Sequence, residues 1–295
     1  MTPTAFFCPA KLNLFLAITG RRADGYHELV SLVAPVALGD TLTVEPESEF
    51  ALACDDHAVP ADGNNLVLKA AHAFRAATGW AGGARFTLTK RIPMGAGLGG
   101  GSSDAAAALR ALNRLAGKPL ASAKLAEVAA GVGSDCALFL AGGPVVMRGR
   151  GERVEPVPAA VAGGLSGRRV LIFKPDFGIA TPWAYARLAA AAPGSYLPEP
   201  AAETRLAGIL QTVGRGHPWE AVLFNSLERS AFSKFLALPT LLDGLRRQFG
   251  LAPHLSGSGS ACFALLPDGA PVAEIGAVIR AAWGSSAFVA ETRLL

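Results

Sequence analysis

Ile92-Pro93-Met94-Gly95-Ala96-Gly97-Leu98-Gly99-Gly100-Gly101-Ser102-Ser103-Asp104 holds five of the chain's 34 glycines within seven residues. Glycine admits positive φ angles and takes the Cβ out of a ligand's path, so a run this dense lets backbone N–H groups converge on an anion such as phosphate. Upstream, Arg85 to Lys90 alternates Phe86 and Leu88 with polar neighbours, the period of a strand. Downstream, Ala105, Ala108, Leu109, Leu112 and Leu115 recur at helical spacing, with Ser102 or Ser103 positioned to cap the helix. Strand, glycine loop and helix start form a phosphate-site pattern. The open N–H groups and dipole of a first turn favour an anion by about 0.3–1 kcal/mol per charge at an exposed site. A flexible surface loop is the competing reading, and the serines and following helix count against it.

Named loops of other kinds fit poorly. Gly95 and Gly100 have Walker A spacing but are followed by Gly101 and Ser102, so the phosphate-binding lysine is missing. Gly95, Gly97 and Gly100 satisfy Gly-x-Gly-x-x-Gly, yet a dinucleotide fold needs an acidic residue about 20 residues on. There Gly117-Lys118-Pro119-Leu120 leads into another helix. Asp176-Phe177-Gly178 has no His-Arg-Asp partner motif and is no protein-kinase signature.

With 295 residues, 51% hydrophobic and 17% charged, the chain can bury a large core, and two domains are expected, 1–160 and 161–295. The net charge of +4 comes without a Lys/Arg block, which argues against nucleic acid and leaves room for anionic small ligands. Cys8, Cys54, Cys136 and Cys262 are scattered, reading as reduced, mostly buried thiols. Cys54-Asp55-Asp56-His57 lacks a second ligand cluster and reads as a solvated turn. No apolar run reaches membrane-spanning length, and no leader-like segment opens the chain, so a cytoplasmic protein without a membrane partner is expected.

Taken in order, Phe6 to Thr19 is extended, with Leu12, Leu14, Leu16 and Ile18 on one face and Lys11 and Asn13 on the other. Lys11 interrupts this apolar stretch either as a strand-end lysine with its amine in water or as a cation facing an anion. Asp24-Gly25-Tyr26-His27 sets an aromatic and an imidazole beside a flexible glycine; packing residues and ligand contacts both fit. Strands are expected near Thr41 to Val44 and Phe50 to Ala53, and Asn64 or Asn65 caps a helix through Leu66, Ala70, Phe74 and Ala77. Ser122 starts a helix ending at Gly131-Val132-Gly133. Asp135, ahead of an apolar run, is a helix cap or a carboxylate at a pocket floor available as a general base. Glycines and prolines between Arg148 and Arg168 suggest the boundary near 160, before a strand from Val170 to Phe173. Thr181 is expected as N-cap with Pro182 at N1 and Tyr185 one turn on. Helices fit Glu203 to Val213, Pro218 to Leu227 and Thr240 to Phe249. Ser256-Gly257-Ser258-Gly259-Ser260 then forms a second loop before the apolar Ala261 to Leu266, and two such loops suggest one shared ligand; an ordinary turn is the alternative.

Together these pieces resemble the GHMP kinase superfamily, through the proline and glycine/serine loop of Pro93 to Ser103 and the late loop of Ser256 to Ala261. Within it, Pro9-Ala10-Lys11-Leu12-Asn13, Asp24-Gly25-Tyr26-His27, Asp135 and Thr181-Pro182-x-x-Tyr185 are similar to the branch acting on a cytidine-diphosphate-linked methylerythritol. They span most of the chain in the family's order. The resemblance implies an α+β, two-lobed architecture, an N-terminal α/β nucleotide-binding domain followed by a C-terminal α+β domain. It implies transfer of the ATP γ-phosphoryl group, with Mg²⁺, to a hydroxyl of the erythritol part, giving the 2-phosphate in the non-mevalonate isoprenoid route.

By the same resemblance Lys11 and Asp135 are the catalytic pair, Asp135 accepting the hydroxyl proton and Lys11 steadying charge. Pro93, Met94, Gly95, Ala96, Gly97, Leu98, Gly99, Gly100, Gly101, Ser102 and Ser103 hold the nucleotide. Asn13, Tyr26, His27, Thr181 and Tyr185 bind the acceptor, Tyr26 and Tyr185 stacking on cytosine while His27 reads its edge. Such a loose phosphoryl transition state is served mainly by alignment and by donors around the phosphates. The family's Val-Pro after the catalytic Asp is here Cys136-Ala137, and its Asp after Asn225 is Ser226. Another kinase of the superfamily, acting on homoserine or in the mevalonate route, is the alternative enzyme, and a non-catalytic nucleotide-binding protein the alternative class.

Overall fold

The computed structural model describes residues 3–117, 120–192, 194–217 and 219–295. Lys118 and Pro119, used above in rejecting a dinucleotide fold, and Pro218, the expected start of a helix, lie outside the described residues. The chain folds as two compact units. One comprises the N-terminal stretch to Ala10, Leu38–Ile92 and Gly99–Gly142; the other comprises Lys11–Ala37, Pro93–Leu98 and Gly143–Leu295.

Strands β1 (Thr4–Arg21) and β2 (His27–Glu47) give one end to each unit. In the first unit β3 (Ala51–Cys54) is followed by α1 (Leu66–Thr78), β4 (Gly83–Thr89), α2 (Gly100–Leu115) and α3 (Ser122–Val132). β2 pairs antiparallel with β4, placing Leu42 opposite Leu88 and Val44 opposite Phe86, all four buried, and β3 runs parallel to β4. The alternation of Phe86 and Leu88 is thus the buried face of a strand. Asn65, not Asn64, caps α1, its Oδ1 accepting the N–H of Val67 at 2.9 Å, and Gly79 ends the helix at φ 67°. α2 buries Ala105 to Ala108 and Ala111, a small-residue face against which α1 packs. Phe74 and Phe86 are fully buried, each contributing about 1.5–3 kcal/mol.

The second unit adds β5 (Val145–Gly149), β6 (Arg153–Pro156), α4 (Ala159–Leu165), β7 (Arg169–Lys174), α5 (Thr181–Ala190) and α6 (Glu199–Gly214). It continues with β8 (Phe224–Asn225), α7 (Glu228–Lys234), α8 (Ala237–Phe249), β9 (His254–Leu255), β10 (Cys262–Leu265), α9 (Val272–Trp283) and β11 (Phe288–Arg293). The glycine- and proline-rich stretch after Arg148 is a β5–β6 hairpin, turned at Gly149 (φ 70°) and Gly151 (φ 109°), and then α4. A second sheet has the order β11-β7-β10-β9, all antiparallel. Val170 to Phe173 of β7 are buried on both faces, which explains their unbroken apolar run. Leu171, Phe173 and Ala264 share a core with Leu238, Leu241, Leu242 and Leu245 of α8 and with Ile275 and Ile279 of α9.

Where a helix was expected from Pro218 to Leu227, the described residues form a 3-10 turn over Glu220–Val222 and then β8, parallel to β1 with Phe224 beside Phe15. Tertiary bonds hold this stretch extended: the Ser226 N–H donates to Leu16 O at 2.8 Å, and Ser226 Oγ accepts the N–H of Ile18 at 3.0 Å. Among the described residues no helix is long and apolar enough to cross a membrane, and the four cysteines are free.

Candidate active site

The glycine loop is pinned from both ends of its backbone. Lys11 N–H donates to Leu98 O at 2.9 Å, and Ala261 N–H donates to Ala96 O at 3.0 Å, while Ala96 and Leu98 bury their side chains. Gly95, Gly97 and Gly99 take φ of 60°, 75° and 74°, which only glycine adopts without strain. At Gly97 a Cβ would lie 2.2 Å from Ser256 O, so the second loop fills the space a side chain would need. Ser256 Oγ donates to Gly97 O at 3.2 Å, joining the two loops directly. Pro93 is half-buried, and Met94 is exposed.

Gly99 itself is the N-cap of α2, with no side-chain cap bond; Gly100 and Gly101 open the helix, and Ser102 and Ser103 lie inside its first turn. The expected serine cap is therefore corrected. The left-handed Gly99 swings the chain into the helix before either serine is reached, and the Ser103 N–H already donates to Gly99 O at 2.9 Å. An uncapped first turn keeps its donors for an anion.

A buried ionic network closes the stem of the loop, and the sequence reading missed it. Asp40 is fully buried, and its Oδ1 accepts the N–H of Arg91 at 2.5 Å and of Ile92 at 2.8 Å. The Lys90 ammonium bridges Asp40 Oδ2 and Asp104 Oδ2, the latter at 2.9 Å. The residues just before the loop are thereby tied to the helix just after it. Burial works against the Lys90 charge, but Asp104 and Asp40 outweigh it and hold its pKa above the usual lysine range. Burial, with the Asp40 charge, pushes Asp104 up to about 7 against the opposing pull of Lys90. A signal was available: Asp104 sits on the same helical face as the buried Ala108 and Ala111, where a carboxylate needs a partner.

Lys11 is 5% exposed, which excludes a strand-end amine in water. Its Nζ donates to Asn13 Oδ1 at 2.5 Å, Asn13 Nδ2 donates to Ser31 Oγ at 2.9 Å, and Ser31 Oγ donates to Phe15 O at 2.6 Å. This chain fixes the Asn13 amide with its oxygen toward the ammonium. Gly257, at φ 58°, leaves a gap where a Cβ would lie 3.2 Å from Lys11 Nζ, so the second loop passes beside the cation. Asn225 Nδ2 holds that loop through Leu255 O and Gly257 O, both at 2.8 Å. Thr181 is the first residue of α5, not its cap: Ala180 takes the cap position, and the Thr181 hydroxyl bonds instead to Ser258 Oγ at 2.8 Å.

Asp135 is half-buried, between α3 and a 3-10 turn over Ala137–Leu140. Cys136, not Asp135, occupies that turn's cap position. Burial pushes the Cys136 thiol up to about 11, with Ser102 the opposing influence, and the 3-10 turn that follows it packs on α2.

The His27 ring lies 5.0 Å from that of Tyr185 and 6.1 Å from that of Tyr196. Its Nε2 is buried without a hydrogen-bond partner among the described residues. Burial and then the Arg21 charge lower the His27 pKa and favour the neutral ring. Tyr26 is 53% exposed, with Arg150 over its ring at 5.1 Å. Tyr196 was not singled out from the sequence. As one of only three tyrosines, in Gly194-Ser195-Tyr196, it carried a compositional signal but no motif.

Residues 65–143 match the family model described as GHMP kinases N terminal domain, and residues 207–285 match GHMP kinases C terminal. The first span includes the glycine loop and Asp135, the second Asn225 and the Ser256 loop. A 4-diphosphocytidyl-2-C-methyl-D-erythritol kinase of Methylacidiphilum infernorum (isolate V4) is 40% identical over 264 residues, covering 88% of this chain and 85% of its own. The chain belongs to the 4-diphosphocytidyl-2-C-methyl-D-erythritol kinase family. Membership makes it a small-molecule kinase with the GHMP-kinase fold, the α+β architecture expected from its sequence. A crystal structure of a kinase of this family, 4-(cytidine 5'-diphospho)-2C-methyl-D-erythritol kinase, superposes with a TM-score of 0.78 at 37% identity, covering 98% of this chain and 99% of that one. Homoserine kinase from Cytophaga hutchinsonii, at 19% identity and TM-score 0.74, covers 100% of this chain and 95% of its own, and shares the fold.

Proposed function

We propose that the chain transfers the γ-phosphoryl group of ATP to a hydroxyl of 4-diphosphocytidyl-2-C-methyl-D-erythritol, giving the 2-phosphate, in non-mevalonate isoprenoid precursor synthesis. The observation that carries this reading is the Lys11–Leu98 backbone bond: it ties a buried cation directly to the loop with the open helix start. Bound ATP supplies the phosphoryl group and leaves as ADP. The loop from Gly95 to Ser103 fits its phosphates, because the positive-φ glycines and the uncapped turn leave backbone donors ahead of Ser103 without side-chain bulk. Among the described residues no group of three or more His, Cys, Asp or Glu is gathered for a metal ion. Mg²⁺, if bound, would offset charge on the phosphates, and a cation of that kind asks for only one or two protein carboxylates.

In this reading Asp135 takes the proton of the attacking hydroxyl as its oxygen bonds to phosphorus. Lys11 offsets negative charge around the transferring group, its direction set by Asn13. Thr181 and Ser258 steady the second loop against the acceptor. His27 offers its open ring nitrogen to the cytosine edge, Tyr185 and Tyr196 supply ring faces, and Tyr26 contributes from the exposed side. The proposed sequence division near residue 160 has the family matches, 65–143 and 207–285, on either side of it, whereas the compact units interleave and keep Gly143–Leu295 together. Free cysteines support a cytoplasmic setting.

The test is a panel of alcohols with labelled ATP: the cytidine diphosphate acceptor, homoserine and mevalonate. A kcat/KM for the cytidine acceptor at least about a hundredfold above the others is expected, as buried polar contacts can provide. Preferential phosphorylation of homoserine or mevalonate would refute the acceptor assignment while leaving the kinase.

A further inference from the structure

A cleft of about 630 Å³ in the second unit lies among α5, α6, α7 and β8 and is lined by Arg187, Arg205 and Arg229. Glu228 is the one acidic residue in the lining, and its Oε1 is already engaged, accepting from the Leu255 N–H at 2.9 Å and meeting His254 Nδ1 at 3.0 Å. Three arginines against one carboxylate leave the lining with net positive charge. Arg205 lies with its guanidinium carbon 4.2 Å over the Phe224 ring, a stacked position that fixes the fork's plane and leaves its N–H edge for a ligand. Among the described residues the Arg187 and Arg229 side chains make no ion pair or hydrogen bond.

The floor is polar and buried. Ser226 and Ser230 are 8% and 7% exposed. Ser226 Oγ accepts the Ile18 N–H, which leaves the hydroxyl proton available to donate. Asn225 spends both amide hydrogens on Leu255 O and Gly257 O, and its oxygen accepts the Leu227 N–H, so it belongs to the fold of the floor. The charged donors of the cleft are its three guanidinium groups, and the space is far larger than one phosphate. A single phosphate would engage one guanidinium well; two linked phosphoryl groups, with about three negative charges, match three arginines.

We propose that this cleft is a second ligand site, for a small polyanion of the diphosphate class, apart from the phosphate loop. Tyr196 also lines it, so the cleft adjoins the proposed pyrimidine end and must be separated from it experimentally.

Inorganic pyrophosphate is the probe, titrated calorimetrically into the full chain with a non-hydrolysable ATP analogue and CDP both saturating. One pyrophosphate per chain is expected, with orthophosphate bound at least about tenfold more weakly. Arg187→Gln with Arg229→Gln should weaken pyrophosphate at least about tenfold for each arginine removed. Both are exposed, so turnover and melting temperature of the double variant should match the native chain. Absence of pyrophosphate binding under these conditions, or unchanged affinity in the double variant, overturns the proposal. So does loss of CDP affinity in the double variant, which would assign the arginines to the acceptor's own diphosphate. Kinase activity enters none of these binding readouts, so failure here and failure of the proposed reaction are distinct.

Discussion

Asp135 and Asp104 are both carboxylates beside the glycine loop's helix, and their surroundings set them different tasks. Asp135 is half-buried and follows α3, and in the proposed reaction it is the general base. Asp135→Asn should lower kcat about 10²- to 10⁴-fold, the range for a lost general base, with the ATP dissociation constant within a small factor. Native turnover in a correctly folded variant would remove it from that role. Asp104 is instead a buried structural acid whose pKa rises to about 7, first through burial. With a folded pKa above the unfolded value near 3.9, the native state binds more protons across that window. Its contribution to stability is full below the unfolded pKa and is lost as pH rises toward 7. Asp104→Asn removes this titration, so the stability of the variant relative to native should increase from pH 4 to pH 7 in denaturant titrations. A difference independent of pH would show that Asp104 does not titrate in that window.

At the scale of elements, the glycine loop works because the strand before it and the helix after it are locked together. Lys90→Met would leave the Asp40 and Asp104 carboxylates buried without their cation. The expected loss is about 3–5 kcal/mol, read from chemical denaturation, and a loss under 1 kcal/mol would mean that the bridge does not hold the stem. Two glycines of the loop provide an internal comparison. Both have positive φ, so an alanine at either position carries a backbone strain of about 1–2 kcal/mol. At Gly95 a Cβ meets nothing nearer than 3.9 Å, whereas at Gly97 it would lie 2.2 Å from a backbone oxygen of the second loop. Gly97→Ala should therefore be clearly the more destabilising and the more damaging to nucleotide affinity. Equal effects would mean that the loops do not pack as described.

Substrate choice is a property of the whole molecule, since donor and acceptor must be recognised by different parts of one chain. Tyr185→Ala removes a ring face beside His27, and acceptor affinity should fall about 5- to 150-fold, from about 1–3 kcal/mol per stacked base, while ATP affinity holds. Tyr196→Ala should act in the same direction. A loss confined to ATP would place these rings on the donor side or in the core. Much of this was legible beforehand. The loop, its flanking strand and helix, the Asn65 cap and the apolar faces of β7 and α8 are all local patterns, repeating within one or two turns.

What the sequence determined by itself was which segments could bind phosphate and which kinase family the order of motifs belongs to, because those depend on neighbours in the chain. Tertiary structure decided the rest. The cations and loops are set by partners 50, 77 and 159 residues apart: Lys90 with Asp40, Thr181 with Ser258, and Ser256 with Gly97. No periodicity records such pairs. Thr181 looks like a helix cap in isolation and becomes a loop tether because Ser258 is within reach; Phe224-Asn225 looks helical and becomes a strand because β1 offers its edge. Burial of Lys11 and Lys90 follows the same rule: a lysine pattern alone says exposed, and only the oxygen atoms folded around each ammonium make burial possible.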